Sequence, residues 1–448
     1  CAQYWPALII LWGLVKLGEY KRDQNQGFRP RGIGAGGVVL LVVLIIGGLA
    51  ATQAARLNWS GLGDNIQIDD GDLPFFGHAY TYDESLKQAF PANGSLRVTS
   101  DRGAVRVTTS DSDQIEVALH KTIRADSQSE ADKWNTQTRP QFSASGDVVT
   151  LAGNNHGAGD HWVSVDMEIS MPRKGALTIA TRHGDVEVTG RDGNLQITND
   201  HGDATASDIN GKVDLAIQHG SARLTQIASD VTIEGRLDDV SVEDVKGAVE
   251  LKGEFSESVK LAKLAKGFSF RSSRSDIEVA KLDGSLELDS GDLRGDDLTG
   301  PVRLNTRSKD VVLTGVNGDL RVTDENGSLE LRLNKMGSVQ VQNRKGDIQL
   351  YLPEKAAFEV DAKARDGEVE SDFKNLKVEN KEDSSAGTVT GSMGQGGPHV
   401  VVSNEHGSIS IRQGSEAMAP PAPPAPPAAA ESAPRLPAPK AKVQPSDN

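Results

Sequence analysis

From Gly175 onward the chain repeats itself about every 18 residues, and that period constrains the fold more than any other feature. Turns open at Gly175, Gly193, Gly211, Ser229, Gly247, Gly267, Gly284, Gly300, Gly318 and Gly337, separated by 18, 18, 18, 18, 20, 17, 16, 18 and 19 positions. Within each period, pairs of apolar residues one apart recur about every nine: Leu177/Ile179, Val186/Val188, Leu195/Ile197, Ala204/Ala206, Val213/Leu215 and Ala222/Leu224. That spacing points two side chains to one side of a strand, with a polar residue between them facing out. A further apolar residue stands two before many of the turns, at Ile209, Ile227, Val245, Leu282, Leu298 and Val316, and is expected to plug the bend between coils. No coil of this size buries its own inward residues, so neighbours must stack. The expected fold is all-β, a parallel β-solenoid with about 18 residues per coil. Roughly ten coils between Gly175 and Asp372, about 4.8 Å apart, would extend on the order of 50 Å.

The repeat also explains the most conspicuous polar pattern. His183, His201 and His219 are each followed by glycine and each lie 18 residues from the next. The same slot holds Asn326-Gly327-Ser328 and Lys345-Gly346-Asp347 elsewhere. It is a turn position that accepts many polar residues, with glycine supplying the unusual backbone angles. Stacking places the three imidazoles in a column on one edge. A zinc site needs about four convergent ligands with supporting partners, and only Asp185 or Asp203 could join two histidines. The stretch therefore reads as architecture, with no metal and no catalytic residue assigned and no binding residue identified.

Composition narrows the function classes. Aromatics are 4% of 448 residues against 47 glycines, which favours a core of small β-branched layers over large aromatic side chains. Net charge is −15, and nucleic-acid partners need a basic face, so DNA and RNA are excluded. Cys1 is the single cysteine and makes no internal disulfide. Either it is a lipidated first residue or the chain continues upstream; the apolar run beginning at Tyr4 favours a missing upstream segment.

Two transmembrane helices are expected before the solenoid. Residues 4–15 are apolar but short for a bilayer, whereas residues 32–55 carry no charge and are long enough to cross about 30 Å of hydrocarbon. Lys16, Lys21, Arg22, Arg29 and Arg31 lie between the runs, and Asp64, Asp69, Asp70 and Asp72 follow them. By the positive-inside rule everything from Arg56 onward lies outside the cytoplasm. The expected organisation is a membrane anchor over 1–56, an aromatic-rich linker or cap over 57–92, the solenoid over 93–414, and a disordered Pro/Ala-rich tail over 415–448. The stretch "ADSQSEADKWNTQTR" (125–139) reads as a short helix or an edge-covering insertion.

The entry "MPRKG" at Met171 to Gly175, followed by the repeated Gly-Asp-Val-x-Val at Gly184 to Val188, resembles the bacterial adhesin-like β-solenoid domains of cell-envelope proteins. The resemblance covers most of residues 93–414. It implies a β-helix-like fold and an envelope location, and it brings no functional residues, because its motif is one of folding. Tyr4-Trp5-Pro6 with Trp12-Gly13 resembles the transmembrane region of bacterial envelope-stress membrane proteins, which implies a bacterial cytoplasmic membrane.

Three function classes follow. The first is a membrane-anchored extracytoplasmic interaction rod, adhesin-like and non-enzymatic, with the membrane, cell-wall polymer or envelope proteins as partners. The second is an envelope-stress sensing or signalling component acting through a membrane protein. The third is a polysaccharide-active β-helix enzyme, which needs paired carboxylates or calcium acids on one face. Outward residues such as Glu187, Gln196, Asp214, Thr232 and Glu250 are instead mixed and dispersed, so enzyme and cofactor are not assigned. The densest acidic stretch, "LDSGDLRGDDLTG" (288–300), matches no calcium-loop spacing, and its Arg294-Gly295-Asp296 is a three-residue coincidence. No Trp or Tyr lies between Lys174 and Leu350, which argues against sugar stacking there. Trp59, Phe75, Phe76, Tyr80, Tyr82, Trp134 and Trp162 are read as packing a cap, with a binding surface as the alternative, and the tail as a spacer whose Arg435, Lys440 and Lys442 could make weak contacts to anionic wall polymer.

Overall fold

A computed structural model describes residues 77–92, 94–159, 161–381 and 386–414. Contacts divide the chain into Cys1–Leu73 and Pro74–Asn448, and all the described residues belong to the second unit. Its period-2 apolar pattern yields thirty strands among the described residues. Each 18-residue coil contributes two strands, one to a front sheet and one to a back sheet. In the front sheet β8 (Ala176–His183), β10 (Leu195–His201), β12 (Val213–Ile217), β14 (Val231–Leu237), β16 (Val249–Phe255) and β18 (Phe268–Arg271) pair in parallel. In the back sheet β9 (Val186–Arg191), β11 (Ala204–Ile209), β13 (Ala222–Ile227), β15 (Val240–Val245) and β17 (Val259–Leu264) do the same.

The register keeps like residues over like: Leu195 lies between Leu177 and Val213, and Ile197 between Ile179 and Leu215. The inward residues of both sheets form one apolar core from Phe90 to Ile411. Each fully buried Val, Leu or Ile contributes roughly 1.5–3 kcal/mol, so the stack is stabilised coil by coil. The expected plugs are in place, since Ile209, Ile227, Val245, Leu282, Leu298 and Val316 are all buried. The residue before four of these plugs, and before the equally buried Leu264, holds a left-handed backbone: Asp208, Gln226, Asp244, Asp297 and Lys263, with φ between 51° and 57°. That conformation turns the chain sharply from the back sheet to the front. Arg191 takes a plug position with no exposure and donates to the carbonyls of Pro172 and Gly175. Burial depresses its pKa to about 10.

Two expectations are corrected. Successive coils are not all parallel. After β18 the chain doubles back as β19 (Ser275–Leu288), antiparallel to β18 in the front sheet and to β17 in the back sheet. It reverses again into β20 (Asp292–Asp296) and β21 (Leu298–Thr306). Parallel stacking then resumes through β22 (Asp310–Asp324), β23 (Leu329–Lys345), β24 (Ile348–Leu352), β29 (His399–His406) and β30 (Ile409–Gln413). The shortened 17- and 16-residue intervals at Gly267–Gly284–Gly300 mark this reversal.

The second correction concerns the fold class: the described residues are all-β, and the two preceding transmembrane helices are not found among them. Among the described residues no helix is long and apolar enough to cross a membrane. The α-helix they contain, α1 (Gln128–Gln137), has 10 residues, about 15 Å at 1.5 Å per residue and half of what a bilayer requires. Residues 4–15 and 32–55, on which the expectation rested, lie outside the described residues, as does the tail 415–448.

The N-terminal end is covered by antiparallel strands. β1 (His78–Ala89) pairs with β4 (Gln114–Ala125), and β4 pairs with β7 (Val163–Pro172). Helix α1 is capped by Ser127, whose hydroxyl accepts from the Glu130 N–H. Buried Lys121 donates to the carbonyls of Asn135 and Thr138 at the helix C-terminus, the favourable end for a cation. Desolvation lowers its pKa to about 8.

Candidate functional site

Front strands run into tight turns that lead to the back sheet, and these turns form one edge of the solenoid. Gly184, Gly202 and Gly220 hold φ of 135°, 134° and 142° there, and a Cβ on Gly202 would stand 2.4 Å from the carbonyl oxygen of Gly184 on the coil before. Only glycine allows the coils to approach this closely. The residue after the glycine is equally structural. The carboxylate of Asp185 accepts the Asp203 N–H at 2.9 Å, and that of Asp203 accepts the Ser221 N–H at 2.8 Å. Asp347, after Gly346, receives the Ser408 N–H in the same way, and Asp310, which follows Lys309 in the equivalent slot, receives that of Ser328. The recurring Gly-Asp is thus a coil-to-coil hydrogen bond written into the sequence.

The three histidines sit together on this edge. His183 stacks on His201, and His201 on His219, with ring centroids 4.9 Å apart in both pairs and interplanar angles of 8° and 23°. Parallel rings at the coil spacing do not converge on a point. Among the described residues no three His, Cys, Asp or Glu side chains are placed to hold a metal ion.

A second ladder, missed in the sequence, lies just inside the turns. Asn199, Asn343 and Asn404 are buried, and each Nδ2 donates to a turn-glycine carbonyl of a neighbouring coil, Gly184, Gly327 and Gly346 respectively, at 2.8–3.0 Å. The signal was present as Asn-x-x-Gly in "NDHG", "NRKG" and "NEHG". Asp324 of "DENG" takes this position in β22 and is 3% exposed. Its Oδ2 stands 3.0 Å from where a Cβ on Gly327 would be, beside the Lys309 carbonyl, as the Nδ2 of Asn404 stands beside Gly346. A carboxylate cannot donate to that carbonyl. Burial raises the Asp324 pKa to about 6.

The charges are distributed unevenly between faces and edge. Many cations on the strand faces are paired, Arg106 with Glu187, Lys212 with Asp214, Lys260 with Glu287, Lys263 with Glu243, Arg303 with Glu278 and Arg412 with Asp372, while Arg97, Arg223 and Arg321 are exposed there singly. On the turn edge beside β21, β22 and β23 a trough of about 750 Å³ is lined by Arg274, Arg307, Lys309, Arg344 and Lys345. None of these five makes an ion pair among the described residues. Lys309 is buried and donates to the Asp289 carbonyl, whereas the other four are exposed.

The remaining sequence candidates resolve structurally. Residues 288–300 form the reversal between β19 and β20, where Asp289 accepts the N–H groups of Gly291 and Asp292, which holds its carboxyl below the usual range. Arg294-Gly295-Asp296 lies within β20, with Gly295 packed against Leu298 and Leu313, so it is not a presented loop. Tyr80, Tyr82 and Trp134 pack on the core beneath the cap. The Tyr82 hydroxyl donates to Asp132, and burial together with that carboxylate pushes its pKa up to about 12. Trp162 is partly exposed, with the Arg124 guanidinium 5.1 Å from its ring centroid. Trp59, Phe75 and Phe76 lie outside the described residues.

Residues 93–412 match the model of one protein family, Toastrack DUF4097. Comparison with curated proteins gives no match. Among solved structures, a candidate cell adhesion protein from Clostridium sporogenes aligns at 9% identity over 75% of this chain and 100% of its own, with a TM-score of 0.21. Candidate adhesins from Bacteroides fragilis and Parabacteroides merdae align at 8% and 9% identity, over 74% of this chain and 97% and 95% of theirs, each with a TM-score of 0.18.

Proposed function

The chain belongs to the Toastrack DUF4097 family, and from that premise we propose that it is a non-enzymatic, adhesin-like interaction module on the extracytoplasmic side of the bacterial envelope. The observation that carries this reading is the division of labour within each coil. Inward residues, turn glycines and the Asp and Asn ladders are committed to stacking, while the exposed turn residues vary from coil to coil and are free to meet a partner. A catalytic site needs a nucleophile, base or paired acids held in reach of one reacting atom. Many of the acids here accept backbone N–H groups or pair with Lys and Arg, and the close carboxyl pair Asp239 and Glu257 has its Asp239 held by the Ser258 N–H and hydroxyl.

Envelope polymer is the favoured partner, because an extended row of turns offers many weak contacts to an extended ligand. Co-sedimentation of the full chain with isolated cell-wall sacculi tests this. Saturable binding that competes with soluble wall fragments is the expected result. Failure to sediment would overturn the polymer reading and move a membrane-protein partner, and with it stress signalling, ahead. Protease digestion of intact cells tests the location, with cleavage of the solenoid from outside expected.

A further inference from the structure

We propose that the basic trough on the turn edge of the C-terminal coils binds a linear polyanion, a polymer bearing phosphate or carboxylate groups. The inference rests on the interaction-module reading and names the ligand chemistry of that same surface.

Three observations lead to it. First, the trough gathers cations in a chain whose net charge is −15. At physiological salt charges further apart than about 8 Å are largely screened, so a bound anion feels the trough and not the distant acids. A concave wall of one dominant sign also focuses the field. Second, many cations on the strand faces lie against carboxylates, whereas Arg274, Arg307, Arg344 and Lys345 are gathered around one trough, exposed and without an ion pair among the described residues. Four positive side chains left without partners on one edge are a cost in self-repulsion that an anion would relieve.

Third, the register sets them in file. Thr306 pairs with Asp324, Asp324 with Asn343 and Asn343 with Asn404. The residues that follow on successive coils are therefore Arg307, Glu325, Arg344 and Glu405. Arg307 and Arg344 stand two coils apart, about 10 Å at 4.8 Å per coil. That is too far for both to grip one phosphate or carboxylate, and suits successive groups of an extended polymer. Guanidinium forks match such groups bidentately. Glu325, between the two arginines, rejects an anion placed midway and so sets the spacing. No Trp, Tyr or Phe lines the trough for sugar stacking, and its one ring, His406, lies against the Asp366 carboxylate, which leaves charge as the chief means of recognition.

The test uses the full chain with inorganic polyphosphate as the polymer and orthophosphate as the single anion, at low and physiological salt. The expected result is polyphosphate binding that weakens with salt, far exceeding that of orthophosphate. Combining R307Q, R344Q and K345Q should weaken it at least about tenfold through loss of charge-assisted contacts, with the melting curve unchanged. E325Q should strengthen it severalfold, a gain that misfolding cannot mimic. The face pair K252Q and K263Q should change it less than about twofold, since those lysines sit beside carboxylates already.

Orthophosphate binding as strong as polyphosphate, or polyphosphate binding that ignores both the triple variant and E325Q, would overturn the proposal. Sedimentation with sacculi separates it from the broader reading. A triple variant that still binds sacculi like the parent chain refutes the trough and spares the interaction module. Trough-dependent polyphosphate binding by a chain that ignores sacculi supports the trough and refutes the wall-polymer reading.

Discussion

The coils from Ala176 to Arg271 and those from Asp292 to Gln413 are built to one plan and finished differently. Both use inward Val, Leu and Ile pairs, turn glycines and Asp-to-backbone bonds between coils. On the turn edge of the first stack stand three stacked imidazole rings, and on that of the second a run of cations without ion pairs among the described residues. Between them β19 runs against both neighbours. The comparison teaches that the repeat fixes the backbone of the edge while leaving its chemistry open, so function is read from the exposed residues of each turn and not from the period.

The most damaging way to break this likeness is Gly202→Ala. A methyl group 2.4 Å from the Gly184 carbonyl, at φ 134°, must push adjoining coils apart. A loss of more than ~4 kcal/mol is expected, among the exceptional single-residue effects. Denaturant titration with tryptophan and far-UV readouts checks it, and a loss under ~1 kcal/mol would mean that the turn can refold around a side chain.

Leu282→Ala comes next, because it opens the core where the two stacks are joined. Leu282 is fully buried in β19, and truncation should cost about 2–5 kcal/mol. In a stack whose coils touch only their neighbours, weakening the junction should split one unfolding transition into two. Calorimetry showing a single, uniformly shifted transition would mean the halves do not uncouple there.

Asp324→Asn sharpens the comparison in the other direction, since it completes the Asn ladder of the second stack. An unfolded Asp titrates near 3.9, and buried Asp324 near about 6, so the native state holds the proton more tightly. Its contribution is full below about pH 4 and is lost as pH rises through about 6. The variant should therefore be about 2–3 kcal/mol more stable at pH 7 and lose that part of the pH dependence. Melting curves from pH 4 to pH 8 decide it. A parent chain equally stable at both ends would show that Asp324 is ionised without penalty.

The smallest effect is expected at His201→Gln. The ring is exposed, and stacking contributes little in water, so stability should move by less than about 0.5 kcal/mol. A larger loss in thermal melts would mean the column helps hold the coils together.

Most of the backbone was legible in the chain, because a period of 18 and a spacing of two are direct images of coil and strand. Leu177/Ile179 through Ala222/Leu224 are buried as that pattern requires. The reversal at β19 was visible only as a shortened interval, since an antiparallel strand needs the same alternating pattern as a parallel one. The Asn ladder was legible as Asn-x-x-Gly, yet its meaning depends on which carbonyl the neighbouring coil presents.

The trough was illegible for a stronger reason. Arg274, Arg307 and Arg344 are 33 and 37 residues apart in sequence, and nothing local distinguishes them from Arg271, Arg303 or Arg332, which find carboxylates at 2.7–3.6 Å. By itself, then, the sequence determined that this chain must stack, which residues face inward and where glycine is obligatory, because these follow from burial and backbone sterics within a coil. Tertiary structure alone decided where the stack reverses, which charges are neutralised and which are left exposed in file, because pairing depends on the register between coils.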